Sequence, residues 1–366
     1  TLTNIILTKA TNQLDLVKVY ELKIQIYVVQ NQMLKALNTG LKALELMGVS
    51  RLNIFDYNRQ EITLPQLADL DKLPEMKSPE QLAIMRLLMS ITSPALNIKS
   101  KTLRLIVVTQ VNLCIEQGHS ALSAFSYSWY GTILCGAMGE VDKGYHAGQI
   151  AMKLLDKFDA NLIKCQVLNM FNGFIKPWKD HARETLEPLQ EGFQSGLEVG
   201  DLIYAGFNAL NYCIYTFLVG EKLDLLDQKL EAYIDLFQKN RIIFLLPIFN
   251  IWKQVKITLQ GLAIDRKSFN GEHFNEGYVL ENLQVEHQHD GTLFNFYLAK
   301  QIICYLFKDS AGAVANALLA KECLQSVGGS MLLAIHNFYD SLALLADCKN
   351  LSTTELEQRV SQVNVN

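Results

Sequence analysis

The chain has 366 residues, of which 49% are apolar and 19% charged, and this composition excludes an intrinsically disordered protein. Its formal net charge is −4 and it contains no basic run, so we expect no nucleic-acid partner. The seven cysteines form no CxxC pair and lie in apolar helical patterns, which predicts buried thiols in a reducing, cytoplasmic compartment. Because the chain starts at Thr1 without a leader, we interpret it as a fragment of a larger protein.

Helical periodicity runs through almost the whole chain, and no segment alternates as a strand would. Residues 12–29 and 31–47 predict a first helix pair within 1–48. A looser connection with scattered prolines follows over 49–77. Further stacked helix pairs are predicted over 78–366, so that 1–366 forms a single array.

Capping residues mark the ends of the predicted helices. The next helix is expected to begin at Ser78, with Pro79 in its first turn and Gln81 completing a capping box. Other predicted stops and starts are Gly118, Gly139, Gly200 with Asp201, Asp309 with Ser310, and Ser352 with Glu355.

Two segments without Asp, Glu, Lys or Arg, 117–139 and 202–220, are about long enough to span a bilayer. Both carry several polar residues and neither has a basic flank. A helix that is apolar nearly all round is also what the interior of a helical stack requires. We therefore predict buried helices and no membrane span.

Small residues recur at helical spacing, as in Ala36, Gly40 and Ala43, or in a second set, Ala313, Ala317 and Ala320. Residues at i, i+4 and i+7 share one face, so a neighbouring helix can approach closely there. The alternative, a coiled coil, requires longer uninterrupted heptads. The predicted fold is all-α: a tetratricopeptide-like, right-handed α-solenoid of antiparallel helix pairs.

One face of the helix over 202–219 carries tyrosine and asparagine at steps of four, three and four: Tyr204, Asn208, Asn211 and Tyr215. Such side chains suit a recognition surface, so these four are the candidate partner-binding residues, facing a protein or peptide in a concave groove. The alternative is that their polar atoms satisfy one another between helices. The adjacent face is predicted to be core: Ile203, Phe207, Leu210, Ile214 and Phe217.

Candidate chemistry is sparse. Within 271–291, possible zinc ligands are His273, Glu276, His287, His289 and Asp290, but HExxH spacing is absent and a polar loop near a helix start explains them better. His336 with Asp340 and Arg183 with Glu187 are spaced as helix-surface pairs. Cys135 and Cys213 resemble core thiols rather than nucleophiles. We expect no catalytic residue, no metal and no cofactor in this chain.

Three segments, 181–209, 305–322 and 336–346, resemble the tetratricopeptide-like helical region of large multidomain sensor kinases, many of them cyanobacterial. The resemblance extends from about Leu14 to the end. In that family a serine/threonine kinase and an ATPase domain precede the helical region, and a GAF domain and a histidine kinase follow it.

The resemblance implies a non-catalytic module for docking and relay between the ATPase and the histidine kinase, with the parent's neighbouring domains as partners and ATP bound elsewhere. This chain has no GxxxxGK[ST], HRD or DFG motif, so no catalytic residue is transferred to it. Two alternatives stay open: a stand-alone regulator that senses a peptide or small molecule, and a helical enzyme.

Overall fold

A computed structural model describes the chain over residues 12–49, 70, 72–98, 102–266, 268–271, 274–283, 290–346, 348 and 352–366. Within these ranges the chain is almost entirely helical, which confirms the all-α prediction. The contacts divide the chain into two compact units, residues 1–171 and 172–366. The tetratricopeptide-type solenoid and the single array stay predictions, and most of the looser 49–77 connection lies outside the described residues.

The first unit is built of helices that pack around an apolar core. Its helices are α1 (Gln13–Val29), α2 (Met33–Leu46), α3 (Pro79–Asn97), α4 (Thr102–Gln117), α5 (Ser123–Met138), α6 (Val141–Lys157), a 3-10 turn (Asn161–Ile163) and α7 (Lys164–Met170).

Helices α1 and α2 pack against each other, and the small-residue stripe of α2 forms a contact surface. Ala36 and Ala43 are buried together with Gly40. A Cβ added to Gly40 would lie 2.1 Å from Cγ2 of Ile91 in α3 and 3.3 Å from Cδ1 of Ile24 in α1. Gly40 thus lets α2 pack tightly against two helices at once.

Helix α5 is the buried helix that the charge-free segment 117–139 predicts. Twelve of its sixteen residues are buried, including four serines and threonines whose hydroxyls bond mainly to carbonyls one turn back, such as Ser128 to Phe125 and Thr132 to Ser128. These local bonds let a helix without charges bury its polar side chains. Helix α6 approaches it at Gly144, where a Cβ would be 2.4 Å from Sγ of Cys135.

The second unit begins within a π-helical turn whose first residue, Phe171, ends the first unit, and it continues mainly as helices. Its elements are a π-helical turn (Phe171–Ile175), 3-10 turns (Lys176–Trp178 and Ala182–Thr185), α8 (Leu186–Val199), α9 (Leu202–Leu218), α10 (Leu223–Lys239), a 3-10 turn (Ile243–Leu245), α11 (Leu246–Leu259), β1 (Asn270–Gly271), β2 (Phe274–Asn275), α12 (Glu276–Leu283), α13 (Asp290–Leu306), α14 (Ser310–Glu322), a 3-10 turn (Leu324–Val327), α15 (Met331–Ala346) and α16 (Thr353–Val365).

Close packing through small residues recurs in this unit. A Cβ on Gly196 of α8 would be 2.8 Å from the Cβ of Ala205 in α9. The stripe Ala313, Ala317 and Ala320 of α14 is fully buried. The sequence therefore identifies the contact faces of these helices correctly.

A short hairpin corrects the expectation that the chain contains no strand. In β1 and β2, Asn270 pairs with Asn275 and Gly271 with Phe274. Phe269 and Phe274 are buried and pack on Phe296 of α13, with ring centroids 6.0 Å apart in each case. Two aromatic anchors thus hold a strand pair that is too short to show alternation.

The predicted helix caps are confirmed with one correction. The side chains of Ser78, Asp201, Asp309 and Ser352 each accept a first-turn N–H, and Ser352 with Glu355 forms a full capping box. The Ser78 hydroxyl accepts the Gln81 N–H and donates to the Glu80 carboxylate at 2.7 Å, but in the described contacts the Gln81 side chain does not bond back to the Ser78 N–H, so the capping box is incomplete. Gly118, Gly139 and Gly200 end their helices with left-handed φ.

None of the helices in the described part of the chain combines the length and the apolar character needed to cross a bilayer. This finding agrees with the prediction for segments 117–139 and 202–220, whose helices α5 and α9 are packed inside their units.

The substitution Gly40→Ala tests the close approach of α2. Its Cβ would overlap Ile91, at a cost of about 1–3 kcal/mol, which outweighs the roughly 1 kcal/mol that alanine gains in helix propensity. We expect a lower free energy of unfolding in urea denaturation. Gly291→Ala in α13, where nothing lies within 4 Å of the new Cβ, should be neutral or slightly stabilising. Equal stability of Gly40→Ala and wild type would contradict this packing.

Candidate functional site

The predicted partner-binding residues of α9 do not form one exposed strip. Asn208 is fully buried and Tyr215 nearly so, whereas Tyr204 and Asn211 are half-buried. On the adjacent face, predicted to be core, Ile203 is 44% exposed while Leu210 and Ile214 are buried. This corrects the expectation of a polar accessible face beside an apolar buried one.

Asn208 lies inside because glycine on the facing helix makes room for it. A Cβ on Gly192 of α8 would be 2.4 Å from Oδ1 of Asn208. The Asn208 side chain also donates from Nδ2 to the backbone oxygen of Tyr204 at 2.8 Å. Asn208 is therefore part of the α8–α9 contact.

Asn211 and Tyr215 face the irregular start of the second unit. The Tyr215 hydroxyl donates to the backbone oxygen of Gly173, in the π-helical turn, at 2.5 Å. A Cβ on Gly173 would be 2.7 Å from Nδ2 of Asn211. A π turn leaves backbone groups outside the regular α pattern, and Tyr215 satisfies one of them. The burial of Tyr215 raises the pKa of its phenol, so it stays a neutral donor.

These contacts favour the alternative in which the stripe is an internal packing surface. The partner-binding role of Tyr204, Asn208, Asn211 and Tyr215 stays a prediction. If it holds, Tyr204 and Asn211 are the members that a partner can reach.

A second polar constellation lies between α13, α14 and α15, and its burial corrects the expectation of a helix-surface pair. His336 and Asp340 are 0% and 2% exposed. Asp340 binds Lys321 of α14, with Nζ and Oδ2 2.8 Å apart. Pairing a buried carboxylate in this way offsets the cost of removing it from water.

His336 is held by a reciprocal contact with Gln301 of α13. The Gln301 amide donates from Nε2 to the His336 backbone oxygen at 3.1 Å, and its Oε1 lies 3.0 Å from the ring Nδ1. Because Oε1 can only accept, Nδ1 carries the proton. Burial lowers the pKa of His336 to about 4; Asp340 opposes this shift and Lys321 adds to it. The imidazole is therefore neutral at physiological pH.

The outer side of α15 borders an open cavity of about 400 Å³. Asn366 at one edge donates from Nδ2 to Asp340 at 2.9 Å and to the Ser341 hydroxyl at 3.1 Å. The lining residues are Trp178, Leu333, Ala334, Asn337, Phe338, Ser341 and Asn366. The sequence reading missed this cavity, which forms from residues far apart in the chain.

Arg183 does not pair with Glu187 as predicted. Its guanidinium contacts the Glu221 carboxylate at 2.9 Å and donates to the backbone oxygen of Val219 at 3.1 Å. It therefore links the 3-10 turn before α8 to the end of α9.

The possible zinc ligands within 271–291, from which we expect no metal site, lie mostly outside the described residues. His273, His287 and His289 lie outside them, Glu276 pairs with Lys300, and Asp290 begins α13. Across the described ranges, no group of three or more His, Cys, Asp or Glu side chains is placed to hold a metal ion.

The candidate nucleophiles are buried thiols. Burial raises the pKa of Cys135 to about 11 and also raises that of Cys213. Since the thiolate is the nucleophile, neither residue is activated. The prediction of core thiols is confirmed for both positions.

Thiol reactivity provides a test of this burial. Six of the seven cysteines are buried, and only Cys348 is partly exposed. We expect Ellman's reagent near pH 8 to modify one thiol rapidly in the folded chain and all seven in denaturant. Cys348→Ser should abolish the fast reaction, and rapid modification of Cys135 or Cys213 in the folded chain would contradict the assignment.

The neutral buried His336 predicts a pH-dependent stability. The His336 ring takes up a proton below about pH 6.5 in the unfolded chain but only near pH 4 in the folded chain. The stability that depends on the neutral ring is therefore fully present above about pH 6.5 and is lost as the pH falls from about 6.5 to about 4. Between about pH 7.5 and 5.5, wild type should lose about 1 kcal/mol more unfolding free energy than His336→Gln. The exposed-residue control His181→Asn should follow wild type, and an identical loss in His336→Gln would contradict the assignment.

Comparison with known proteins gives one informative similarity. No protein-family model matches the chain, and no solved structure is significantly similar to it. A stretch of 180 residues is 23% identical to the hybrid signal transduction histidine kinase G of Dictyostelium discoideum, and this stretch is 48% of the chain but 5% of that protein. The chain is thus distantly related to a signal-transduction kinase, while the tetratricopeptide-like and cyanobacterial parts of the resemblance stay predictions.

Proposed function

We propose that this chain is a non-catalytic helical module of a large ATP-dependent signal-transduction kinase, with tetratricopeptide-like antiparallel helix pairs stacked as a solenoid. The observation that carries the proposal is the 23% identity over 180 residues to a hybrid histidine kinase. The matched stretch is a small part of that protein, as expected for one module among many.

The module would act by docking and relay between an ATPase domain and the sensor and histidine-kinase output. Helices that pack through glycine and alanine have their backbones in close contact. A displacement of one helix pair would therefore displace the pair packed against it. Its partners would be the neighbouring domains of a cytoplasmic parent, which would bind ATP elsewhere. The chain itself would be neither an enzyme nor a nucleic-acid-binding protein.

The burial and protonation of the candidate catalytic side chains support a non-catalytic role. Cys135 and Cys213 are buried with raised pKa, and His336 is buried and held neutral. Catalytic groups need access to substrate and a protonation state suited to proton transfer, and these residues lack that access.

A second candidate function is a stand-alone regulator that senses a peptide or a small molecule. The cavity of about 400 Å³ beside α15 favours it, since Trp178 and Phe338 provide apolar walls and Asn337 and Ser341 provide polar groups. This combination is typical of small-ligand sites.

The size of the native polypeptide separates the two proposals. We would raise an antibody against the chain and blot a denaturing gel of source-cell lysate prepared with protease inhibitors, beside the recombinant 41.3 kDa chain. A band several times larger is expected for a kinase module. A band near 41 kDa, also seen after rapid lysis in hot detergent, would overturn the relay and favour the stand-alone regulator.

A further inference from the structure

An exposed apolar surface lies where the start of α9 meets the turn before α11. We name it the α9 patch and define it by Ile203, Tyr204, Phe207, Ile243 and Phe244. Ile203, Ile243 and Phe244 are 44%, 69% and 50% exposed, and the other two are half-buried. Clusters of large exposed apolar side chains are uncommon on globular surfaces and mark interaction sites.

The aromatic rings of the patch form a continuous ridge. Tyr204 and Phe207 meet edge to face with centroids 5.8 Å apart, and Phe207 meets Phe244 in the same way at 5.9 Å. The ridge therefore joins α9 to the 3-10 turn Ile243–Leu245 in one surface.

The fold holds this surface in place by a close contact beneath it. A Cβ on Gly206 would be 2.5 Å from Cδ1 of Leu245, which is 2% exposed. With Leu245 anchored against α9, its two neighbours Ile243 and Phe244 face outward. The exposed rings thus stand on regular elements rather than on a long loop, and little ordering is needed when they bind.

Two cations without an acidic partner flank the patch. Lys239 ends α10 and Arg241 precedes Ile243 by two residues, and both are exposed. Among the described residues neither one forms an ion pair. The carboxylate of Asp201, which lies next to the patch in the chain, accepts the Tyr204 N–H at 3.1 Å as the cap of α9. The α10–α11 turn, which carries Ile243 and Phe244, therefore presents two positive charges that no described carboxylate pairs.

We propose that the α9 patch docks an acidic amphipathic segment of another protein. The segment would place apolar side chains on the Tyr204–Phe207–Phe244 ridge and carboxylates beside Lys239 and Arg241. The proposal deepens the docking function suggested above and rests on it. A protein segment is favoured over an anionic membrane because the net charge of −4 opposes adsorption to a negative surface.

Binding of a designed helical peptide tests the proposal. The probe is a fluorescent amphipathic peptide of about 16 residues, with leucines on one face and glutamates on its flanks, titrated against the full chain by anisotropy. We expect saturable binding that weakens with salt. A second peptide with lysines in place of the glutamates should bind about tenfold more weakly or not at all.

Matched variants locate the site. Phe244→Ser and the double variant Lys239→Glu with Arg241→Glu should each weaken binding at least about tenfold, and the charge variant should also flatten the salt dependence. The controls change one exposed apolar and one exposed basic side chain elsewhere in the same unit. Ile264→Ser, at a residue 98% exposed, and Lys308→Glu should leave binding within about twofold of wild type.

Failure of this proposal can be distinguished from failure of the kinase-module proposal. Absence of saturable binding by the acidic peptide, or equal effects in patch and control variants with unchanged circular dichroism, would overturn the proposal. So would patch-dependent adsorption to phosphatidylserine vesicles without peptide binding, which would assign the surface to a membrane. Failure of the kinase-module proposal would appear in the lysate blot instead, whatever the peptide titration gives.

Discussion

Close approach of helix backbones at glycine and alanine is the constraint on which the rest of the structure depends. Gly40, Gly144 and Gly196 each occupy a point where a single added carbon would overlap a neighbouring helix. Dispersion attraction falls off steeply with distance, so many such contacts at short range favour one arrangement of the helices over others. These close contacts also determine which larger side chains are buried beside them. They therefore determine which helix faces stay exposed.

Polar groups inside the second unit follow from this packing. Helices that meet closely bury parts of their polar faces, and each buried charge then needs a partner from the facing helix. Lys253 and Lys256 of α11, both nearly buried, reach Glu231 at 2.6 Å and Asp227 at 2.8 Å on α10. Lys321 does the same for Asp340 between α14 and α15. Each pair offsets the cost of burying its charge and joins two neighbouring helices.

Much of the fold could be predicted from the sequence because caps and small-residue stripes act locally. Asp201, Asp309 and Ser352 need only the backbone three residues ahead, so their roles are readable from spacing. The orientation of α9 was not readable, because Asn208 and Tyr215 are buried by Gly192 and Gly173 on other elements. The burial of His336 likewise depends on Gln301, which lies 35 residues away.

The exposure of both candidate surfaces, the α9 stripe and the α9 patch, also depends on contacts between elements. A stripe of tyrosine and asparagine is polar in composition, yet it becomes internal wherever a facing glycine accepts the side chain, as Gly192 does for Asn208. An apolar run such as 242–246 reads as core, yet in a 3-10 turn successive side chains point about 120° apart, so anchoring Leu245 turns Ile243 and Phe244 outward. Residue type alone therefore mispredicted the stripe and gave no indication of the exposed 3-10 turn. The positions of the glycines on facing elements carry the missing information, since they determine which side chains are covered and which, like those of the α9 patch, stay exposed.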